Sequence, residues 1–174
     1  MEIIHFYSEG LEISGSEIVF YLECQQSKGA VVFKPGRGIL IAYGFLDDTE
    51  LYITKQDGKN AKEFLYNTKN DTGPIGTVGG GIFSLHGKYF NTHYSFKDIF
   101  KWKQQDDLIV KVFYVYTDII LNVAVNRSKK KWYLPIFNGE IQGKMYVKAG
   151  ESREVILSVL MNLHYYIEST RNSD

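Results

Sequence analysis

Four cations fall within five residues at Arg127, Lys129, Lys130 and Lys131, and the indole of Trp132 stands beside them. On a hairpin tip such a cluster can lie on anionic lipid headgroups, where each charge near the surface contributes about 1 kcal/mol. It can equally contact an acidic protein surface. The plain alternative is a solvated turn, since charge runs at turns are common. Lys97, Lys101 and Lys103, with Phe100 and Trp102, would enlarge the cationic surface if the fold brings them to the same side.

The residues that could carry catalysis are sparse. Histidines stand at positions 5, 86, 93 and 164, with no His-x-x-x-His, Cys-x-x-Cys or Gly-x-Ser-x-Gly arrangement around them. His86 and His93 would meet only if they fell at matching positions of neighbouring strands, and zinc would still need a third or fourth ligand that the spacing does not supply. His164 and Glu168 are four residues apart on an apolar helix, which reads as a satisfied core or helix-end pair before it reads as an acid/base couple. The glycines between Gly76 and Gly81 are followed by Ile82-Phe83 rather than by a helix and a Lys-Ser/Thr pair, so they read as a loop or bulge and not a phosphate cradle. Cys24 is the single cysteine, and in a strand-like run it reads as a small buried hydrophobe. No cofactor, metal site or catalytic residue is expected.

Charge narrows the partners. Net formal charge is zero over 174 residues, whereas a nucleic-acid binder shows a basic excess. The distribution is uneven: residues 1–24 hold Glu2, Glu9, Glu12, Glu17 and Glu23 without a Lys or Arg, and residues 88–131 hold nine Lys or Arg against Asp98, Asp106, Asp107 and Asp118. The segment Met1–His5 has no basic leader, and no uninterrupted apolar run is longer than Val112–Tyr116, far short of the roughly 20 residues that span a bilayer. The expectation is a soluble, cytoplasmic chain, not transmembrane, that can sit peripherally at a membrane.

Short runs rich in β-branched and aromatic residues must position these groups. Ile18–Cys24 and Gly29–Phe33 read as a hairpin joined by Gln25–Lys28, followed by strands over 38–44 and 51–54 about Asp47-Asp48. Ala61–Asn67 reads as a strand or one helical turn, and Asn67–Gly81 as a long loop or strand edge. Strands over 82–86 and 89–94 turn about Gly87-Lys88, and Ser95–Asp98 has the outline of a capping box, so a short helix competes with a strand there. Leu108–Tyr116 and Ile119–Val125 are dense in β-formers, Arg127–Lys131 reads as a turn, and Trp132–Phe137 with Ile141–Lys148 flank the hairpin dipeptide Asn138-Gly139.

One helix, at about 152–169, ends the series. Ser152 is its expected N-cap, with Glu151 and Glu154 at the positive end of the helix dipole. Val155, Val159, Leu163 and Tyr166 share one face, while Leu157, Met161 and Tyr165 make the opposite face apolar as well. A helix that is apolar around most of its circumference belongs inside something. The remaining 10–12 strands, mostly antiparallel by their short connections, would form a barrel or curled sheet around it, in one mainly β (α+β) domain spanning residues 1–174.

Gly73-Pro-Ile-Gly-Thr-Val78 and Leu160-Met-Asn-Leu-His-Tyr-Tyr-Ile-Glu168, within a meander closed by an apolar helix, resemble the tubby-like superfamily. That group includes tubby C-terminal domains, phospholipid scramblases and LURP-one-related proteins. The resemblance implies about twelve strands closed around the C-terminal helix, and membrane-lipid binding. The expectation is a non-enzymatic binding domain. Following the resemblance, its first reading is association with anionic lipid or another anionic ligand through Arg127, Lys129, Lys130, Lys131 and Trp132. The alternative is a protein-interaction or inhibitor-type factor using an acidic or aromatic face, and the third is an enzyme with a tyrosine-lined pocket.

Overall fold

The computed structural model describes residues 1–8, 18–24, 27–34, 40–57, 62–70, 72–79, 81–93, 107–114, 119–127 and 141–171. The strands are β1 (Glu2–Ser8), β2 (Ile18–Cys24), β3 (Ser27–Phe33), β4 (Leu40–Leu46), β5 (Thr49–Asp57) and β6 (Lys62–Asn67). They continue with β7 (Gly76–Thr77), β8 (Ile82–Leu85), β9 (Lys88–His93), β10 (Asp107–Tyr114), β11 (Ile119–Arg127) and β12 (Ile141–Val147). Helix α1 (Arg153–Arg171) follows.

All twelve strands lie in one sheet of order β7-β6-β5-β4-β3-β2-β1-β12-β11-β10-β9-β8. Every ladder is antiparallel, and the first and last strands pair along their length, from Glu2 opposite Val147 to Tyr7 opposite Gln142. Apart from that one closure each strand lies beside its neighbours in sequence, so the sheet is a meander bent round on itself. The two remaining edges, β7 and β8, meet at a seam. There His86 N–H donates to Ile75 O at 2.7 Å, and Thr77 N–H donates to Ser84 Oγ at 3.0 Å. Glycine makes the approach possible: a Cβ on Gly76 would run into the Ser84 carbonyl, and one on Gly79 into that of Ile82. The result is a nearly closed barrel that leaves few backbone groups unpaired at an edge.

The helix fills it. Eight consecutive residues, Val155 to Asn162, are at most 5 % exposed, which over two turns means burial in every direction. Ser152 caps the first turn as its sequence suggests, Oγ accepting from the Val155 N–H at 3.3 Å. Strand alternation supplies the lining. Ile4, Phe6, Phe20, Leu22, Val31, Leu51, Val123 and Met145 point inward and form one core with Val155, Ile156, Leu157, Leu160 and Met161. At Gly44 the helix packs against the sheet with no room for a side chain, since an added Cβ would lie 2.8 Å from Met161 Cε and 2.9 Å from Val31 Cγ2.

Where the ladder is weakest, aromatic side chains and the helix's own polar stripe take over. Tyr66 on β6 reaches over the two-residue β7 to Phe83 on β8, ring centroids 6.2 Å apart, and the stack runs on through Phe90 to Tyr114. Tyr66 also donates to the Ser158 carbonyl at 3.2 Å. Asn162 Oδ1 accepts from the Gly79 N–H at 3.3 Å, while its Nδ2 has no partner. Ser158 and Asn162 are fully buried; Ser158 meets the seam through its carbonyl, its Oγ donating to the Val155 carbonyl at 2.8 Å, and Asn162 meets it through its side chain.

One sequence expectation changes and two segments are settled. Met1–His5, read only as lacking a basic leader, opens the strand that closes the sheet. β12 has both edges taken, by β1 and β11, so no edge remains for a hairpin partner across Asn138-Gly139. The ambiguous segment before Asn67 is a strand, β6. The expected strand at 132–137 and the capping box at 95–98 lie outside the described residues.

Candidate interaction surface

The mouth at which the helix enters the barrel holds most of the described charge contacts. Arg153, the first helical residue, grips Glu2 of β1 with Nη1 at 2.8 and 2.9 Å from its two carboxylate oxygens, and reaches Asp47 of the β4–β5 turn with Nε at 3.2 Å. Asp47 also accepts from Ser27 Oγ at 2.9 Å. The Cys24 thiol, half-buried rather than fully buried, donates to Glu2 Oε1 at 2.9 Å. That hydrogen bond, outweighing the opposing effect of burial, and the Arg153 guanidinium together hold the Glu2 carboxyl below its usual range. Burial works against the charge of Arg153, but hydrogen bonds and charge from Glu2 and Asp47 raise its pKa overall.

Across the mouth a cleft of about 360 Å3 opens beside His86, Lys88, Tyr114, Glu151 and Glu154. His86 sits at φ 48° in a two-residue turn with Gly87 at φ 73°, the handedness such hairpins need. The turn aims its Nε2 at Glu154 Oε2, 2.8 Å away. Tyr114 donates to Glu151 at 3.1 Å, and Lys88 Nζ lies 5.7 Å from the Tyr114 ring centre. Burial and then the Glu151 charge push the Tyr114 phenol up. These groups satisfy one another. The described side-chain partner of His86 is Glu154, and the network fastens the helix to the rim.

The outward face of β12, β1, β2, β3, β4 and β5 is different. Residues alternating with the core place two rows side by side across the strands. One row runs Tyr7, Tyr21, Ala30, Phe45, and the other Val19, Val32, Tyr43, Tyr52. Tyr7 and Tyr21 lie with ring centroids 5.3 Å apart. Ala30 and Val32, at 8 % and 6 %, form a floor between these rings and Phe45 with Tyr43, while Tyr7 at 37 %, Phe45 at 42 % and nearby Ile3 at 41 % remain exposed. A flanking row carries alternating charge: Lys144, His5, Glu23, Lys28. Lys34 Nζ stands 5.6 Å from the Tyr43 ring centre, and Tyr52 donates to Glu50 at 2.6 Å, which raises its pKa. Tyr7 and Phe45 stand exposed at the two ends of a row joined by half-buried Tyr21 and buried Ala30, and apolar surface gathered in this way is characteristic of interaction sites.

Of the residues expected to bind, Arg127 is the last residue of β11, opposite Ile141, and its side chain lies outside the described set. Lys129, Lys130, Lys131 and Trp132 lie outside it entirely, as do Lys97, Lys101 and Lys103. His86 and His93 do not converge: His86 lies in the turn before β9 and His93 is the last residue of that strand, pairing with Lys111. His164 and Glu168 lie on the helix, their side chains again outside the described set. Among the described residues no group of three His, Cys, Asp or Glu could hold a metal ion, and no helix is long and apolar enough to cross a membrane. The acidic N-terminal stretch makes no acidic face in what is described, since Glu2 is spent on Arg153 and Glu23 lies between His5 and Lys28. The outer aromatic rows are the feature that reading the sequence missed. Their signal was present, since Tyr7, Tyr21, Tyr43, Phe45 and Tyr52 alternate with core residues, but which rows adjoin depends on register.

Compared with family models, curated proteins and solved structures, the chain matches none.

Proposed function

We propose that this chain is a non-enzymatic binding domain that docks a protein surface on the outer face of β1 to β5. The observation that supports it is the contiguity of Tyr7, Tyr21, Ala30 and Phe45 beside Val19, Val32, Tyr43 and Tyr52. Exposed aromatic side chains on a rigid sheet make good anchors, because tyrosine and phenylalanine offer large area with few rotatable bonds. Lys28, Lys144 and Glu23 beside the rows would fix orientation rather than supply affinity. The barrel's inside is spent on the helix, which leaves its outside for recognition. The test is capture on immobilised protein: wild type retains a stoichiometric protein, its own chain included, and a Tyr7→Ser/Phe45→Ser variant with unchanged thermal midpoint does not. Equal retention by both would end this reading.

A second reading keeps the anionic ligand, supported by the four cations at Arg127 and Lys129–Lys131. It expects binding to vesicles containing acidic lipid that weakens with salt. Binding unchanged after Lys129, Lys130 and Lys131 are each replaced by Glu would overturn it.

A further inference from the structure

We infer that the partner of this outer face is a second copy of the same chain, held in an isologous contact whose two-fold axis runs along the strands between β2 and β3. The inference rests on the reading of that face as a protein-docking surface. Two sheets stacked about such an axis keep their strand direction and reverse their strand order. Each β2 residue then faces the β3 residue that is its own cross-strand partner, and each β1 residue faces β4.

The register makes this arrangement self-complementary. Tyr21 pairs with Ala30 in the ladder, so the operation lays the Tyr21 ring on Ala30 of the second copy, and the reverse. The large side chain of the row meets the smallest one. One strand further out, Tyr7 on β1 faces Phe45 on β4 of the second copy, which matches the two most exposed rings of the row, at 37 % and 42 %. In the flanking row Glu23 and Lys28 are cross-strand partners, so Glu23 of one copy faces Lys28 of the other, twice over. On the opposite flank Val19 meets Val32. Bulk meets hollow at the centre, ring meets ring at the sides, and opposite charges meet along one border. An axis one strand away would lose this: between β1 and β2 it would lay Tyr7 on Tyr21 and leave Ala30 without a filling ring. A net formal charge of zero sets no long-range repulsion between copies.

Sedimentation equilibrium on the full chain tests it. Wild type is expected at twice 20.0 kDa, and Phe45→Ser at the monomer mass. Glu23→Lys alone and Lys28→Glu alone each oppose like charges across the axis and weaken the dimer by about tenfold or more. The double variant E23K/K28E restores it, and because Glu23 and Lys28 are also cross-strand partners within one chain, equal thermal midpoints of the single variants and wild type assign the loss to the contact between copies and not to the fold. Wild type that stays monomeric up to about 0.1 mM overturns the inference. If that monomer still captures a different protein in a Phe45-dependent way, the docking reading stands without it. A dimer indifferent to Phe45→Ser and to both charge reversals overturns the inference as well.

Discussion

Arg153 and Glu2 lie 151 positions apart and meet in a two-pronged ion pair, 2.8 and 2.9 Å, that fastens the first turn of the filling helix to the strand closing the sheet. The pair is about a quarter exposed on each side, 27 % and 27 %. Glu2→Gln or Arg153→Ala should cost on the order of 1 kcal/mol at pH 7, read by urea denaturation.

The same carboxylate sets a pH dependence. The folded state holds the Glu2 carboxyl below its unfolded value, chiefly through the Cys24 thiol and then Arg153, so the stability it contributes is present above the unfolded value. It is lost as pH falls through the lower, folded value. Wild type and Glu2→Gln should therefore differ in unfolding free energy at pH 7 and converge below the ordinary carboxylate range. A gap that persists at pH 2 would remove Glu2 ionisation as its source.

The seam tolerates no side chain at Gly76, whose Cβ would strike the Ser84 carbonyl, a backbone atom that cannot swing aside. Gly76→Ala should lose about 1–3 kcal/mol. Gly81→Ala, where a Cβ meets nothing within 4 Å, should stay within about 0.5 kcal/mol of wild type. Paired thermal scans decide it.

Tyr66→Phe removes only the hydroxyl that donates to the Ser158 carbonyl, and should cost about 1 kcal/mol. Asn162→Leu trades two opposing effects. It strands the Gly79 N–H, and it removes a buried Nδ2 that has no partner, so its change should be smaller than that of Asn162→Ala, which adds a cavity. Chemical denaturation of the three variants ranks them.

Leu157→Ala empties space at the middle of the barrel, where the side chain is fully buried, and should lose about 2–5 kcal/mol. Ser152→Ala should lose about 1 kcal/mol through its cap.

Most of the helix was legible residue by residue, because capping and apolarity are local properties: Ser152 caps it and the apolar residues from Val155 to Met161 are buried, whereas the full burial of Ser158 and Asn162 is not suggested by their types. The hairpins about Asp47-Asp48 and Gly87 were legible for the same reason. β1 was not, since Glu2-Ile-Ile-His-Phe-Tyr-Ser alternates without marking either face strongly: Ile3 and Tyr7 point outward while Ser8 is buried. β7 lies within the stretch 67–81 read as a long loop or strand edge, and its bounds were not legible because two residues carry no period.

Sequence alone determined that this chain would wrap short strands around one apolar helix, because periodicity and capping are written in neighbouring residues. Only the tertiary structure decided that β1 meets β12, that Arg153 finds Glu2, and that Tyr21 stands beside Ala30 and Tyr7. Those relations depend on register and closure, which arise from the whole sheet bending round its filling and from no stretch of the chain taken singly.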